Sequence, residues 1–423
     1  MLLAANPRVI NKFPAGVVNI PPSKSQAHRA IICALLSCGG SRIENVELSR
    51  DIAATLRAVE ALGASWKRVG HTVEITGTWG AFPNGAAEPI LINCGESGST
   101  LRFLLPVAAA LGVSATFVGE GRLMRRPLEP YEQVFAQNGA ALQLSPDGVK
   151  ISGKLAAGTY RLDGKVSSQF VSGLLLALPL LDGDSTIVIE NELESRAYVD
   201  MTIDTCAKFS VSLKRDSYRE FYIKGGQAYY PARIRVEGDY SQAAYFLAAG
   251  ALGADVACAG LPPDSLQGDR EILNILRRMG AEITQTAGGV LKARVGRLCA
   301  VDIDVSQIPD LAPPVAALMC LADGKSSIYG AARLRLKESD RLRAIAQTLG
   351  ALGAGIIEVS GGLTIQGKPS LCGGQVGSHN DHRIAMMVAV AAVRCEGEVT
   401  LTGWQCVDKS YPGYWYDWEA VGR

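Results

Sequence analysis

Two landmarks recur six times along the 423 residues, and a chain written that way is confined to a modular fold. In the first, a helix-like run ends in Gly-Ala or a near equivalent. These ends fall at Leu62-Gly63-Ala64, Asn138-Gly139-Ala140, Phe209-Ser210-Val211, Met279-Gly280-Ala281 and Leu352-Gly353-Ala354, with a last at Val421-Gly422. Short alternating segments follow the first five and close on Gly77, Gly153, Gly225, Gly296 and Gly367; Thr72-Val73-Glu74-Ile75-Thr76-Gly77 shows the pattern. Glycine just past a helix is the expected left-handed stop. Alternating β-branched residues read as a strand. In the second landmark a polar cluster opens an apolar, small-residue helix, at Ser25, Ser99, Ser168, Ser241, Asp310 and Asp381.

Each unit therefore holds a buried helix, a strand, a more polar helix and a strand pair. A helix that is apolar all round must be buried. The period is about 70 residues, beyond the roughly 20–50 of solenoid repeats. It implies pseudo-symmetric α/β (α+β) domains, and six units divide most simply into two domains of three. The expected crossings lie near Pro21-Pro22 and Glu237-Gly238-Asp239. This gives an N-terminal domain of 22–237 and a C-terminal domain of 238–423 completed by 1–21, because the sixth unit is short at its end.

Apolar residues make up 48% of the chain, enough for large cores, and the net charge is +1. No global field favours nucleic acid or a membrane surface, so any anion site must be local. The longest apolar runs, 103–113 and 173–181, are far too short to span a bilayer. Residues 1–12 lack the pattern of a secretory signal. The ten cysteines are scattered without a C-x-x-C pair, as expected of buried free thiols in a reducing cytoplasm.

The stretch Pro21-Pro22-Ser23-Lys24-Ser25-Gln26-Ala27-His28-Arg29 puts hydroxyls and cations where a helix begins. Helix N-termini offer unpaired N–H groups and positive dipole ends, so such an opening suits a phosphate or carboxylate. It also reads as a cap with two solvated basic residues. Lys24, Arg126, Lys337, Arg341, Arg383 and Lys409 all lie at or near expected N-termini. A cation there costs about a few tenths of a kcal/mol unless an anion sits beside it. If the units are arranged symmetrically, these openings line an anion-attracting cleft between the domains. Units one to three supply hydroxyl, amide and cationic donors; units four to six add Asp239, Asp310, Glu338, Asp340 and Asp381. Such a cleft can bind anions and move protons. There is no Walker A motif, dinucleotide fingerprint, nucleophile elbow or metal-ligand spacing; His379 and His382 lack a third ligand nearby.

Taken in order, Pro22-Ser23-Lys24-Ser25…Arg29, Gly98-Ser99-Thr100…Arg102, Arg125-Arg126-Pro127, Val166-Ser167-Ser168-Gln169-Phe170, Gly225-Gly226-Gln227, Ile308-Pro309-Asp310, Leu336-Lys337-Glu338-Ser339-Asp340-Arg341-Leu342 and Asn380-Asp381-His382-Arg383 resemble the 5-enolpyruvylshikimate-3-phosphate synthase family over essentially the whole chain. The resemblance implies two domains, each a pseudo-threefold assembly of βαβαββ units, closing on substrate. It implies transfer of the enolpyruvyl group of phosphoenolpyruvate to the 5-hydroxyl of shikimate 3-phosphate. The route is addition to a tetrahedral intermediate followed by elimination of phosphate, with no cofactor and no metal. It implies proton-transfer roles for Lys24, Asp310 and Glu338. Shikimate 3-phosphate contacts are implied for Lys24, Ser25, Arg29, Ser167, Ser168, Gln169, Ser195, Tyr198, Asp310 and Lys337. Phosphoenolpyruvate contacts are implied for Lys24, Gly98, Arg126, Gln169, Arg341, Arg383 and Lys409. A cytoplasmic monomer that engages neither nucleic acid nor membrane is expected.

His28 and His382 read better as orienting or packing residues than as bases, and Asp381 reads equally as a helix cap. Glu96 stands where many members carry Asn, and would repel phosphoenolpyruvate unless it turns away or pairs. Ser99 and Phe103 also depart from common residues in the segment that shapes binding of the inhibitor glyphosate, while Gly98 is kept. A sister family, UDP-N-acetylglucosamine enolpyruvyl transferase, uses a reactive Cys in the loop matching 119–126, and this loop has none. The remaining alternative is a non-catalytic anion-binding protein of the same fold.

Overall fold

The computed structural model describes residues 6–78, 89–286 and 288–420. The landmark at Val421-Gly422 lies outside them. The chain divides into two compact units, Met1–Pro21 with Glu237–Arg423, and Pro22–Val236.

In the unit Pro22–Val236, two repeats run strand, helix, strand, helix, strand, strand. Ile90–Asn93 crosses through the helix Gly98–Leu111 to Ala115–Val118 in parallel. The helix Glu129–Gln137 then leads to the hairpin Ala140–Ser145 and Gly148–Gly153, whose second strand pairs antiparallel with Ala115–Val118. The same order runs from Thr159–Leu162 to Glu220–Ile223 around the helices Ser168–Ala177 and Arg196–Lys208. The remaining repeat begins at its inner helix, Lys24–Leu36, so its first strand comes from the far end of the unit: Arg233–Arg235 pairs in parallel with Gly40–Glu44.

The other unit repeats this plan. Its inner helices are Tyr240–Ala251, Ala312–Met319 and His382–Ala392. The start of the chain supplies the missing strands. Gly16–Asn19 pairs in parallel with Val256–Ala259, and Arg8–Ile10 pairs antiparallel with Val399–Thr402 to give the sixth repeat a three-stranded sheet. Arg8 is held there by an ion pair to Glu419 and by the rings of Trp404 and Trp415, 4.9 and 4.7 Å from its guanidinium carbon.

The inner helices are buried nearly throughout; every residue of Tyr240–Ala251, Ala312–Met319 and His382–Ala392 is inside. The outer helices are two-faced: Arg50–Ala61 buries Ile52, Leu56 and Val59 and exposes Arg57 and Glu60. The stops are left-handed as the pattern requires, at Gly63, Gly139, Gly280 and Gly353, with Ser210 taking the same conformation at φ 68°. All ten cysteines are free; Cys33, Cys94, Cys206, Cys258 and Cys320 are buried, whereas Cys299 and Cys372 reach the surface.

The strand-closing glycines have a separate reason. At Gly77, Gly153, Gly225, Gly296 and Gly367 a Cβ would fall on a carbonyl oxygen of a neighbouring segment, inside van der Waals contact. At Gly367 all the nearest atoms belong to the Ala322 backbone, which cannot swing aside. Gly367→Ala is therefore expected to destabilise its unit by at least about 2 kcal/mol. Gly361→Ala, where a Cβ meets nothing within 4 Å, should stay within about 0.5 kcal/mol of the parent. Urea unfolding of the two variants checks the contrast, and equal midpoints would refute it.

Candidate active site

Five of the six polar clusters that open the inner helices act first as caps, whereas Asp310 lies in the 3-10 turn Pro309–Leu311 and the helix Ala312–Met319 after it has no side-chain cap. Ser23, Ser97 and Ser167 accept from the N–H groups of Gln26, Thr100 and Gln169; Asp239 accepts from Ser241 and Gln242, and Asp381 from Arg383. Lys24, Arg341 and Arg383 stand in the first turns of their helices. Arg126, Lys337 and Lys409 do not. They end the 3-10 turns Leu123–Arg125, Ala332–Leu336 and Trp404–Lys409, and the following helices start only at Glu129, Arg341 and Tyr414. Pro127 and Pro412 explain two of these delays, since the residue before a proline is driven out of the helical region; Arg126 has ψ 144°. The dipole argument for an anion therefore holds for three of the six cations.

In the unit Pro22–Val236, Lys24 Nζ lies 2.6 Å from Asp51 Oδ2. That carboxylate is only 6% exposed, so it fixes the ammonium in place. Arg29 is buried, and its guanidinium donates to Thr202 Oγ1 at 2.7 Å, to the Ser25 carbonyl at 2.8 Å and to the Tyr198 carbonyl at 2.8 Å. It braces the backbone of two other candidate residues. Gln169 is oriented from both ends: its Oε1 accepts from Arg102 Nη1 at 2.8 Å and its Nε2 donates to Ser99 Oγ at 3.0 Å. Arg102 also donates to the Pro127 carbonyl, beside Arg126, at 3.1 Å. A Cβ on Gly98 would stand 2.8 Å from Arg126 Nη1 and 3.6 Å from Gln169 Oε1. Gly98, Arg126, Gln169 and Arg102 thus share one small space, and a Cβ at position 98 would press on the Arg126 guanidinium. Ser167 and Ser168 begin the helix that carries Gln169. Ser195 is buried at φ 56°, a left-handed conformation that costs a serine free energy. It opens the helix that carries Tyr198. Glu96 leans against Gly121, where any side chain would collide with its carboxylate.

In the other unit, Arg341 is 1% exposed and serves three carboxylates. Its Nε donates to Asp381 Oδ2 at 2.9 Å, its Nη1 to Asp310 Oδ1 at 3.1 Å and its Nη2 to Glu338 Oε2 at 2.8 Å. Arg383 Nη2 approaches Asp310 Oδ2 at 3.0 Å, Lys337 Nζ lies 3.8 Å from Asp310, and Lys409 Nζ lies 3.9 Å from Glu338. Burial alone would raise the pKa of Asp310, but Arg383, Lys337 and Arg341 outweigh it and hold the carboxyl well below the usual range. Burial lowers Lys337 to about 8, against the pull of Asp310. Asp381 both caps its helix and anchors Arg341, and Ser339 donates to it at 3.0 Å.

Sequence reasoning did not find Asp51 as the partner of Lys24, because the pair joins two helices 27 positions apart. It also passed over Asp269, a buried carboxyl that accepts from Ser241 and is pushed up to about 7 by burial and by Asp310. Among the described residues, no three His, Cys, Asp or Glu side chains assemble as metal ligands.

A family model described as EPSP synthase (3-phosphoshikimate 1-carboxyvinyltransferase) matches residues 11–418. The chain is 48% identical over 412 residues to the 3-phosphoshikimate 1-carboxyvinyltransferase of Clostridium kluyveri, covering 96% of this chain and 95% of that one. It is 45% identical over 416 residues to the protein of that name from Clostridium perfringens, covering 96% of each. The structure of EPSP synthase from Acinetobacter baumannii superposes with a TM-score of 0.80 at 27% identity over 98% of both chains. The enolpyruvyl transferase NikO from Streptomyces tendae shares the fold, with a TM-score of 0.79 at 19% identity over 98% of this chain and 97% of that one. A match that runs through both units, at this identity to curated relatives, places the chain in the EPSP synthase family.

Proposed function

We propose that this protein transfers the enolpyruvyl group of phosphoenolpyruvate to the 5-hydroxyl of shikimate 3-phosphate, releasing phosphate. The observation that carries the reading is the family match across residues 11–418, which takes in both charged arrays. The acceptor hydroxyl adds to the central carbon of phosphoenolpyruvate while the methylene carbon gains a proton. The tetrahedral adduct then loses phosphate and a methyl proton, and the enol ether forms. Asp310 receives the hydroxyl proton, Glu338 supplies the methylene proton, and Lys24 serves both substrates. Ser25, Ser167, Ser168, Gln169, Ser195, Tyr198 and Lys337 hold shikimate 3-phosphate, and Arg29 serves that site by bracing Ser25 and Tyr198. Gly98, Arg126, Gln169, Arg341, Arg383 and Lys409 hold phosphoenolpyruvate.

Asp310 is a weak base while three cations surround it. Phosphorylated substrates compete for Arg383, Lys337 and Arg341, and each cation drawn away raises the basicity of Asp310. Proton acceptance is thereby tied to substrate arrival. The same reading places the enzyme in the cytoplasm as a monomer; among the described residues no helix is long and apolar enough to cross a membrane.

Phosphate release from phosphoenolpyruvate should require shikimate 3-phosphate and be absent with UDP-N-acetylglucosamine or with no acceptor. Release with the sugar nucleotide would assign the chain to the sister reaction, and none with either acceptor would leave an anion-binding protein. Lys24→Met should lower kcat by roughly 10²–10⁴ with the fold kept, as judged by circular dichroism; near-parent turnover would remove Lys24 from the mechanism. The lowered Lys337 sets an alkaline limit. Its charge is present below about pH 8 and lost above it, so the KM for shikimate 3-phosphate should rise between pH 7.5 and 9. Lys337→Arg, which stays charged, should flatten that rise; the same limb in both proteins would assign it elsewhere.

A further inference from the structure

Behind the Lys24 and Gly98 openings lies a run of polar side chains with no role in the reaction above. His28 Nδ1 is 2.7 Å from Thr55 Oγ1, Thr55 Oγ1 is 2.6 Å from Thr100 Oγ1, and Thr100 Oγ1 donates to Ser97 Oγ at 2.7 Å. All four residues are buried. They join three helices, Lys24–Leu36, Arg50–Ala61 and Gly98–Leu111, and end on the side chain that caps the third. Thr55 stands one turn after Asp51, the partner of Lys24.

The hydrogens in this chain can be counted, since each hydroxyl has one to give. Thr100 gives its hydrogen to Ser97. Two hydroxyl oxygens at 2.6 Å need a hydrogen between them, so Thr55 gives its own to Thr100 rather than to the Asp51 carbonyl, 3.3 Å away. Thr55 then has none left for His28, and the imidazole must donate from Nδ1. His28 Nε2 is left as a bare lone pair, and it is buried with no hydrogen-bond partner. The reverse direction would bury an N–H without an acceptor, the rarer and costlier orphan. Burial keeps the ring neutral, pushing His28 down to about 3, with Lys24 and Arg29 adding to the effect and Asp51 opposing it.

We propose that His28, Thr55, Thr100 and Ser97 form a directed hydrogen-bond chain, from His28 Nδ1–H to the Ser97 oxygen, that positions the Gly98 opening for phosphoenolpyruvate. Ser97 accepts from both the Thr100 hydroxyl and, at 3.2 Å, the Thr100 N–H. Its cap geometry is thereby tied through Thr55 and His28 to the helices Arg50–Ala61 and Lys24–Leu36. Gly98 follows at once, with the Arg126 guanidinium and the Gln169 amide standing where its Cβ would be, so a shift of the cap moves this opening relative to both groups. These four are positioning residues and touch no reacting atom.

The kinetic consequence rests on Gly98 serving phosphoenolpyruvate; the tautomer does not. The test uses full-length protein with nitrogen-15 histidine, the His28 signals being assigned by their loss in His28→Gln. Expected for the parent is a pyrrole-like Nδ1 and a pyridine-like Nε2, unchanged from about pH 6 to 9. Thr55→Val should abolish that single-tautomer signature and raise KM for phosphoenolpyruvate about tenfold, the worth of one buried hydrogen bond. KM for shikimate 3-phosphate should stay within about twofold. Thr55→Ser should restore both the signature and the affinity. A hydrogen on Nε2 in the parent overturns the direction of the chain, whatever the variants do. An unchanged KM in Thr55→Val, or equal losses for both substrates, overturns the positioning role. Should Thr55→Val fail to fold, Thr100→Val, which cuts the same chain at its next link, carries the same expected rise in KM for phosphoenolpyruvate alone, and an unchanged KM there overturns the positioning role.

Discussion

Six helices without a polar face dictate the rest of this molecule. Each must be covered on all sides, and small residues let covering segments come close. A sheet and an outer helix per repeat supply that cover. Closeness has its own consequence: where a strand end passes a neighbouring carbonyl, as at Gly77 and Gly367, even a methyl group does not fit. An inner helix buried along its length meets most of its polar partners near its first turn. Its first turn has N–H groups to satisfy, so Ser23, Ser97, Ser167, Asp239 and Asp381 are required by the core before any substrate is considered. Function is added to positions that the packing already made polar.

Charge at those positions is expensive, and the structure shows how it is borne. Arg341 is inside, and an isolated buried guanidinium would be untenable. Asp381, Asp310 and Glu338 surround it instead, and each carboxylate is in turn held by Ser339, Arg383, Lys337 or Lys409. Removing one member of such a network leaves a buried charge uncompensated, at about 3–5 kcal/mol. Asp381 thus joins the stability of its unit to the placement of Arg341. Lys24 and Asp51 do the same on a smaller scale.

The repeat was legible in the sequence because its signals are local: a glycine stop, an alternating strand and an apolar run each fall within a dozen residues. The borrowed strands Arg8–Ile10 and Gly16–Asn19 were legible only as a deficit at the end of the sixth repeat. Side-chain partnerships were not legible. Arg102 with Gln169, Lys24 with Asp51 and Arg341 with Asp381 each span tens of positions and depend on which helix faces which. The helix starts at Arg126, Lys337 and Lys409 were misplaced because a 3-10 turn carries the same polar and apolar pattern as a first α-turn. Proline at 127 and 412 was the available sign. The left-handed backbone of Ser195 could not be read, since it is imposed by surroundings rather than by serine.

The cations of the C-terminal array already have carboxylate partners, and this bears on what can bind there. A single carboxylate arriving at Arg341 or Arg383 offers about what Asp381 or Asp310 already supplies, and it must also shed its own water. A phosphate brings nearly two charges and three acceptor oxygens, so it can take hydrogen bonds from several cations at once and outbid a monovalent partner at each. Internal pairing holds the array together without a ligand, and on the proposed function it would disfavour singly charged anions. On the proposed function, binding there would be an exchange: carboxylates displaced from cations become better bases as the phosphate settles. Asp310, held below the usual carboxylate range by Arg383, Lys337 and Arg341, would gain basicity with each of those cations that a phosphate drew away.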